Sequence, residues 1–161
     1  MSISQAKKFI WDNRQRIKLV FFGVYCFFIV CYTLLLRKQG AYHKADMRFM
    51  WAYREMLTGH PEWKTDVLQN IFNILFFVPF GMSFPRSLVK RLPSAFRGRE
   101  WLAVLSVGLV FSVFIEVTQY AARLGLCELD DVICNSLGAL TGYGLLRAFI
   151  SGKHRKNKDT Q

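Results

Sequence analysis

Four long apolar runs, separated by charged segments, set the pattern of the chain. The first, Leu19–Leu36, holds 18 residues without a charge. At ~1.5 Å of rise per residue that is about enough to cross a hydrocarbon core. Arg37-Lys38-Gln39 follows it, where a secretory leader would carry a small-residue cleavage site, so it reads as an uncleaved helix. The second run, Val67–Pro85, is 19 residues without charge and carries Asn70 and Asn73 near its start. Pro79 in its middle removes a backbone donor and frees the carbonyl of Leu75, which predicts a kink. The third run, Trp101–Ala122, contains one acid, Glu116, and the fourth, Val132–Ile150, contains Arg147 near its end. Between the first two runs, Phe49, Met50, Tyr53 and Met56–Leu57 recur at helical spacing with Arg48, Arg54 and Glu55 among them. That pattern predicts an amphipathic helix over Met47–Leu57 lying in the interface. Trp51, Tyr53 and Trp63 suit an interfacial aromatic belt. The expected architecture is all-α: a polytopic membrane protein of four transmembrane helices plus one interfacial helix. Residues 1–18 form a basic N-terminus, 19–150 the membrane domain and 151–161 a basic tail.

Composition sharpens this reading. The chain has 161 residues, a formal charge of +11 and 52% hydrophobic residues. Disordered chains pair high charge with low hydrophobicity, so disorder is excluded. A soluble nucleic-acid binder is disfavoured for the same reason, despite the basic balance. The charge sorts by segment. The N-terminus, the loop between the second and third runs, and the tail with Arg147 hold 15 basic residues against Asp12, Glu100 and Asp159, a net of +12. The other two loops hold seven basic and seven acidic residues. The positive-inside rule then places both termini in the cytoplasm.

The polar residues within the runs also sort. Ser112, Glu116, Gln119 and Arg123 are spaced 4, 3 and 4 along one face of the third helix. Asp131 and Asn135 open the fourth, Asn70 and Asn73 open the second, and Glu128 and Asp130 lie in the short loop before the fourth. With termini inside, all of these gather in the outer leaflet, while the inner halves stay apolar, Arg147 apart. A charge in hydrocarbon costs about 2.5–3.5 kcal/mol on insertion scales, so Glu116 is expected to face protein or a water-filled cleft. Arg123, Gln119 and Asn73 are its expected partners, and near Asp131 it would hold or share a proton, or share a cation. The competing reading is a structural clamp between the second, third and fourth helices.

Other candidates carry little chemistry. The four cysteines show no CxxC and no Cys/His pairing; Cys26, Cys31 and Cys134 lie in apolar runs, and Cys127 alone is expected to meet solvent. Gly138-xxx-Gly142, with Gly144, reads as a packing surface. His43, His60 and His154 lack ligand spacing and read as solvated. The tail Lys153-His154-Arg155-Lys156 suits anionic lipid heads. No cofactor and no resident metal are expected.

Three segments together resemble a known family. They are Asn70-Ile71-Phe72-Asn73-Ile74-Leu75-Phe76-Phe77-Val78-Pro79-Phe80-Gly81, then Ser112-x3-Glu116-x2-Gln119, then Glu128-Leu129-Asp130-Asp131-Val132-Ile133-x-Asn135-Ser136-Leu137-Gly138-Ala139. In this order they resemble the VanZ-like membrane proteins over about residues 67–146. The resemblance implies a small helical membrane protein of Gram-positive-type bacteria, associated with low-level resistance to teicoplanin-type glycopeptides. It implies Asn73, Glu116, Gln119, Asp131 and Asn135 as hallmark polar residues. Two features depart from the family pattern: Glu128 stands where Asp is common, and Met47–Leu57 replaces an Asn-Leu-x-Pro-Phe stretch.

Three functions compete. The first is an envelope protein whose outward polar cleft lowers glycopeptide access or capture, with the bilayer and a glycopeptide or lipid-linked cell-wall component as partners. The second is an enzyme on a lipid-linked substrate, with Glu116 and Asp131 as the catalytic candidates, an acid/base pair or a divalent-cation site. The third is an ion- or proton-coupled transporter, for which four short spans with an apolar inner half offer no evident path. The oligomeric state is open.

Overall fold

A computed structural model describes residues 2–35, 45–88, 93, 96 and 98–158. Five helices carry the fold: α1 (Ile3–Leu35), α2 (Trp51–Thr58), α3 (Trp63–Leu88), α4 (Glu100–Ala122) and α5 (Leu129–Lys158). Arg37–Gln39, His43, Lys90, Arg91 and Arg97 lie outside the described residues, as do the side chains of the tail from Lys153 onward.

Each long apolar run is a helix, as its length requires, but the helices outrun the apolar stretches. α1 takes in most of the basic N-terminus, and α3 begins at Trp63, before the uncharged run. Among the described residues three helices are long and apolar enough to cross a membrane: Asn13–Leu34 of α1, Trp63–Phe84 of α3 and Glu100–Ala122 of α4. α5 covers the expected fourth span without reaching that threshold. Asn135, Ser136, Gly138 and Gly142 dilute its apolar content, and all four are buried against protein. A helix that presents protein rather than lipid with its face has no need of a uniformly apolar surface.

α3 and α5 are in backbone contact. A Cβ on Gly142 would lie 1.9 Å from the Val78 carbonyl oxygen, one on Gly81 1.9 Å from that of Ala139, and one on Gly138 2.2 Å from that of Ile74. The expected packing role of Gly138-xxx-Gly142 is therefore what the structure shows, with Gly81 answering it from α3. Gly144 is different: a Cβ there meets nothing within 4 Å.

One half of the bundle is an aromatic core. Phe77, Phe80 and Phe84 of α3 pack with Ile29 of α1, Val104 and Ile115 of α4 and Ala139 of α5. Phe80 stacks on Phe111 at 5.6 Å between ring centroids, and Phe22 meets Phe80 at 5.2 Å, both within the 4.5–7 Å range of favourable aromatic pairs. α3 runs continuously through Pro79. One turn before it the Tyr25 hydroxyl donates to the Phe76 carbonyl at 2.6 Å, tying α1 to the backbone that the proline ring disturbs.

The loop helix is shorter than its pattern suggested. Met50 adopts a left-handed conformation (φ 49°), so α2 starts at Trp51 and Met47–Met50 stay outside it. Gly59 (φ 74°) ends it in a Schellman motif, with His60 N–H donating to Glu55 O and Gly59 N–H to Met56 O. Two residues, Ala45–Asp46 (β1), pair in parallel with Cys127–Glu128 (β2), Ala45 opposite Cys127 and Asp46 opposite Glu128. This bridge is a small addition to the expected all-α plan. It straps the first loop to the hairpin between α4 and α5.

Candidate functional site

The polar residues collect at one end of the bundle. There the C-terminal ends of α1 and α4 meet the N-terminal ends of α3 and α5. Asn70, Ser112, Glu116, Gln119, Glu128, Asp130, Asp131 and Asn135 are all buried. Sequence periodicity placed these eight together, and the structure brings them together.

Their hydrogen bonds cross between elements. Glu116 Oε2 of α4 accepts the backbone N–H of Glu128 at 3.0 Å. Glu128 Oε2 accepts from Gln69 Nε2 of α3 at 3.0 Å, and both Asp131 oxygens lie 3.4 Å from the same amide nitrogen. Asn135 Nδ2 donates to Ser112 Oγ at 2.8 Å, joining α5 to α4. Gln119 Nε2 reaches the Thr33 carbonyl of α1 at 3.2 Å. Asp130 Oδ1 accepts the Met50 N–H at 2.5 Å, which anchors the left-handed turn before α2. Glu116, Glu128 and Asp131 are thus engaged by several donors rather than left bare. Asp130 and Asp131 sit in the first turn of α5, where the helix dipole favours negative charge.

Arg123 and other singled-out residues lie at the margin of this cluster. α4 ends at Ala122, and Arg123 turns left-handed (φ 56°) in a second Schellman motif, with Leu124 N–H donating to Gln119 O and Arg123 N–H to Tyr120 O. The helical spacing that placed Arg123 on the Glu116 stripe therefore stops one residue short, and Arg123 is exposed. His60 lies 3.2 Å from Glu55 Oε2, a surface pair rather than a fully solvated side chain. Cys26, Cys31 and Cys127 are all partly exposed; Cys26 and Cys31 lie within the apolar span of α1, and Cys127 lies outside the candidate spans. Burial, reinforced by Glu116, Asp131 and Glu128, pushes the Cys127 thiol above its ordinary pKa. Hydrogen bonds from Arg48 hold the Asp46 carboxyl below its own.

A groove of about 330 Å³ lies beside the buried cluster and runs between α1 and α3. Tyr32 and Thr33 form one wall; Thr65, Leu68, Gln69, Phe72, Asn73 and Phe76 form the other. Of the expected site residues only Asn73 lines it. Gln69 joins the two features, lining the groove while its amide holds Glu128 and Asp131. Gln69 and Thr65 were missed at the sequence level because neither is charged and Thr65 precedes the apolar run. Their signal is the four-residue repeat Thr65, Gln69, Asn73. Five buried polar atoms have no hydrogen-bond partner among the described residues: Trp51 Nε1, Asn70 Nδ2, Asn73 Nδ2, Gln119 Oε1 and Asp130 Oδ2.

Among the described residues no group of three or more His, Cys, Asp or Glu is placed to hold a metal ion. The acids instead take amide and backbone donors from α3 and the loops, which fixes three helices and the strap in register.

Comparison with known proteins bears on this arrangement. The chain is 30% identical over 88 residues to Protein VanZ of Enterococcus faecium, a match covering 55% of this chain and 48% of that protein. The chain thus spans about half the length of that curated relative. No solved structure matches it. The VanZ/LLP1 family matches residues 22–150, which takes in the polar cluster, the groove and the aromatic core, and the chain belongs to that family.

Proposed function

We propose that this chain is a four-span protein of the bacterial cell envelope, with both termini cytoplasmic, that contributes to low-level resistance to teicoplanin-type glycopeptides. VanZ membership supports the class of function. The net +12 on the three alternate segments supports the orientation, and the length of α5 together with its close packing on α3 supports it as the fourth span. The observation that carries the site is the concentration of buried acids and amides at one end of the bundle, opening through Gln69 into the groove. In this orientation that end faces outward, where a glycopeptide meets the membrane.

The acids act as the frame and the groove as the contact surface. Glu116 fixes the α4–α5 hairpin through the Glu128 amide, and Asp131 with Glu128 fixes Gln69. Glu116→Gln and Asp131→Asn are expected to leave the protein in the membrane and to abolish protection. The assay is the teicoplanin inhibitory concentration in a susceptible Gram-positive host. A wild type that gives no protection refutes the resistance reading for this chain. Two fully protective mutants would reduce the cluster to a structural clamp.

A further inference from the structure

The groove between α1 and α3 has two chemically different edges. Thr65, Gln69 and Asn73 follow one another at four-residue steps along α3, and Leu68, Phe72 and Phe76 do the same three residues later. Rows of i±4 residues run as parallel ridges on a helix surface, so a polar row and an apolar row lie side by side. At ~1.5 Å per residue they extend about 16 Å from Thr65 to Phe76. The apolar row is partly open: Leu68 is 51% and Phe72 48% exposed. In a membrane these side chains face hydrocarbon, so the groove opens sideways into the bilayer. The polar row turns the other way, toward the Glu128 and Asp131 carboxylates that Gln69 holds.

Two further observations select the ligand chemistry. Asn73 Nδ2 is buried with no hydrogen-bond partner among the described residues, a donor to which a ligand acceptor could bind. None of the described residues lining the groove carries a formal charge at neutral pH, and the groups behind Gln69 are carboxylic acids. Among the described residues a phosphate or carboxylate head would meet no cation in the groove wall and would lie beside acidic groups. A volume of about 330 Å³ is at the small end of ligand sites, room for a compact head and the first part of a chain.

We propose that the groove receives a single-chain amphiphile with an uncharged, hydroxyl-rich or amide-rich head, entering sideways from the leaflet. Its chain lies along Leu68, Phe72 and Phe76, and an acceptor of its head takes the Asn73 amide proton. This rests on the reading that the groove is the ligand site, and it adds the class of ligand.

The test uses the full-length protein in phosphatidylcholine nanodiscs with an alkyl glucoside bearing a diazirine at the head end of its chain. Photolabelled residues are mapped by mass spectrometry. Residues 65–76 and Tyr32 are expected to carry several-fold more label than the lipid-facing surface of α4 around Phe114. Unlabelled octyl glucoside below its micelle concentration should remove that excess, and octyl phosphate should not. Thr65→Trp should remove the excess while leaving labelling at Phe114 unchanged. Equal labelling of the two surfaces, or equal competition by octyl phosphate, overturns the proposal. The two readings fail separately. Labelling as expected, with Thr65→Trp fully protective in the host, sinks the resistance reading and keeps the ligand class. Loss of protection in Thr65→Trp without groove labelling sinks the ligand class and keeps the groove.

Discussion

Gly142→Ala tests the packing that sets the whole polar end. The added methyl would sit 1.9 Å from the Val78 carbonyl oxygen, 2.8 Å from its carbonyl carbon and 3.0 Å from the Met82 nitrogen. All three are backbone atoms of α3, so no side-chain rotation can clear them. The helices must separate, and the seam with Gly138 and Gly81 must open with them. Overpacking a close-packed site costs typically about 1–3 kcal/mol, and a rigid backbone neighbour puts this site near the upper end. Gly144→Ala is the internal control. Its methyl meets nothing within 4 Å, so only helix propensity acts, a gain of about 1 kcal/mol at most. The assay is reversible unfolding in mixed micelles, followed by helical circular dichroism. Gly142→Ala is expected to fall below wild type by about 3 kcal/mol and Gly144→Ala to match or exceed it. Equal stability of the two variants would refute the claimed α3–α5 backbone contact.

Other predictions follow from individual contacts. Gln69→Leu removes the donor shared by Glu128 and Asp131 and should destabilise by about 1–2 kcal/mol, the range for interhelix hydrogen bonds in membranes, in the same unfolding assay. Ser112→Ala should cost about 0.6 kcal/mol, the mean for such bonds, by removing the acceptor of Asn135. The Cys127 thiol is raised by burial and then by Glu116, Asp131 and Glu128, so less of it is thiolate at a given pH. Its alkylation by an impermeant maleimide should occur from outside intact cells and keep accelerating to higher pH than for an ordinary thiol. Asp131→Asn removes one of those charges and should move that rate profile to lower pH; an unmoved profile contradicts the proximity of the two groups. Asp46, held low by Arg48, should stay ionised on acidification until below the ordinary carboxylate range, read by the pH at which its carboxyl carbon resonance titrates.

Much of this arrangement is legible in the sequence because membrane helices are simple to write. Long apolar runs can only be helices in hydrocarbon, since every backbone group must be satisfied internally. Glu116 and Gln119 stand out because a polar residue in such a run has to face protein. Gly138 and Gly142 stand out because a residue without a Cβ allows the backbone approach seen here. Periodicity is blind to where a helix stops. Met50 and Arg123 are both left-handed without being glycine, so nothing in their identity announced a helix end. The groove between α1 and α3 was not legible either, because its polar residues Thr65 and Gln69 are uncharged and draw no attention beside Glu116 and Asp131. The strap of Ala45–Asp46 on Cys127–Glu128 is two residues long and has no pattern to detect.

The claim at the centre is that the groove beside the acidic cluster is the working surface of the protein. Its most direct test is the teicoplanin inhibitory concentration of a susceptible host expressing Thr65→Trp or Val113→Trp, each at wild-type level in the membrane. Thr65 lines the groove, and Val113 faces outward from α4, 42% exposed. Protection lost with Thr65→Trp and kept with Val113→Trp is the predicted result; protection unaffected by filling the groove, or lost equally in both, contradicts it.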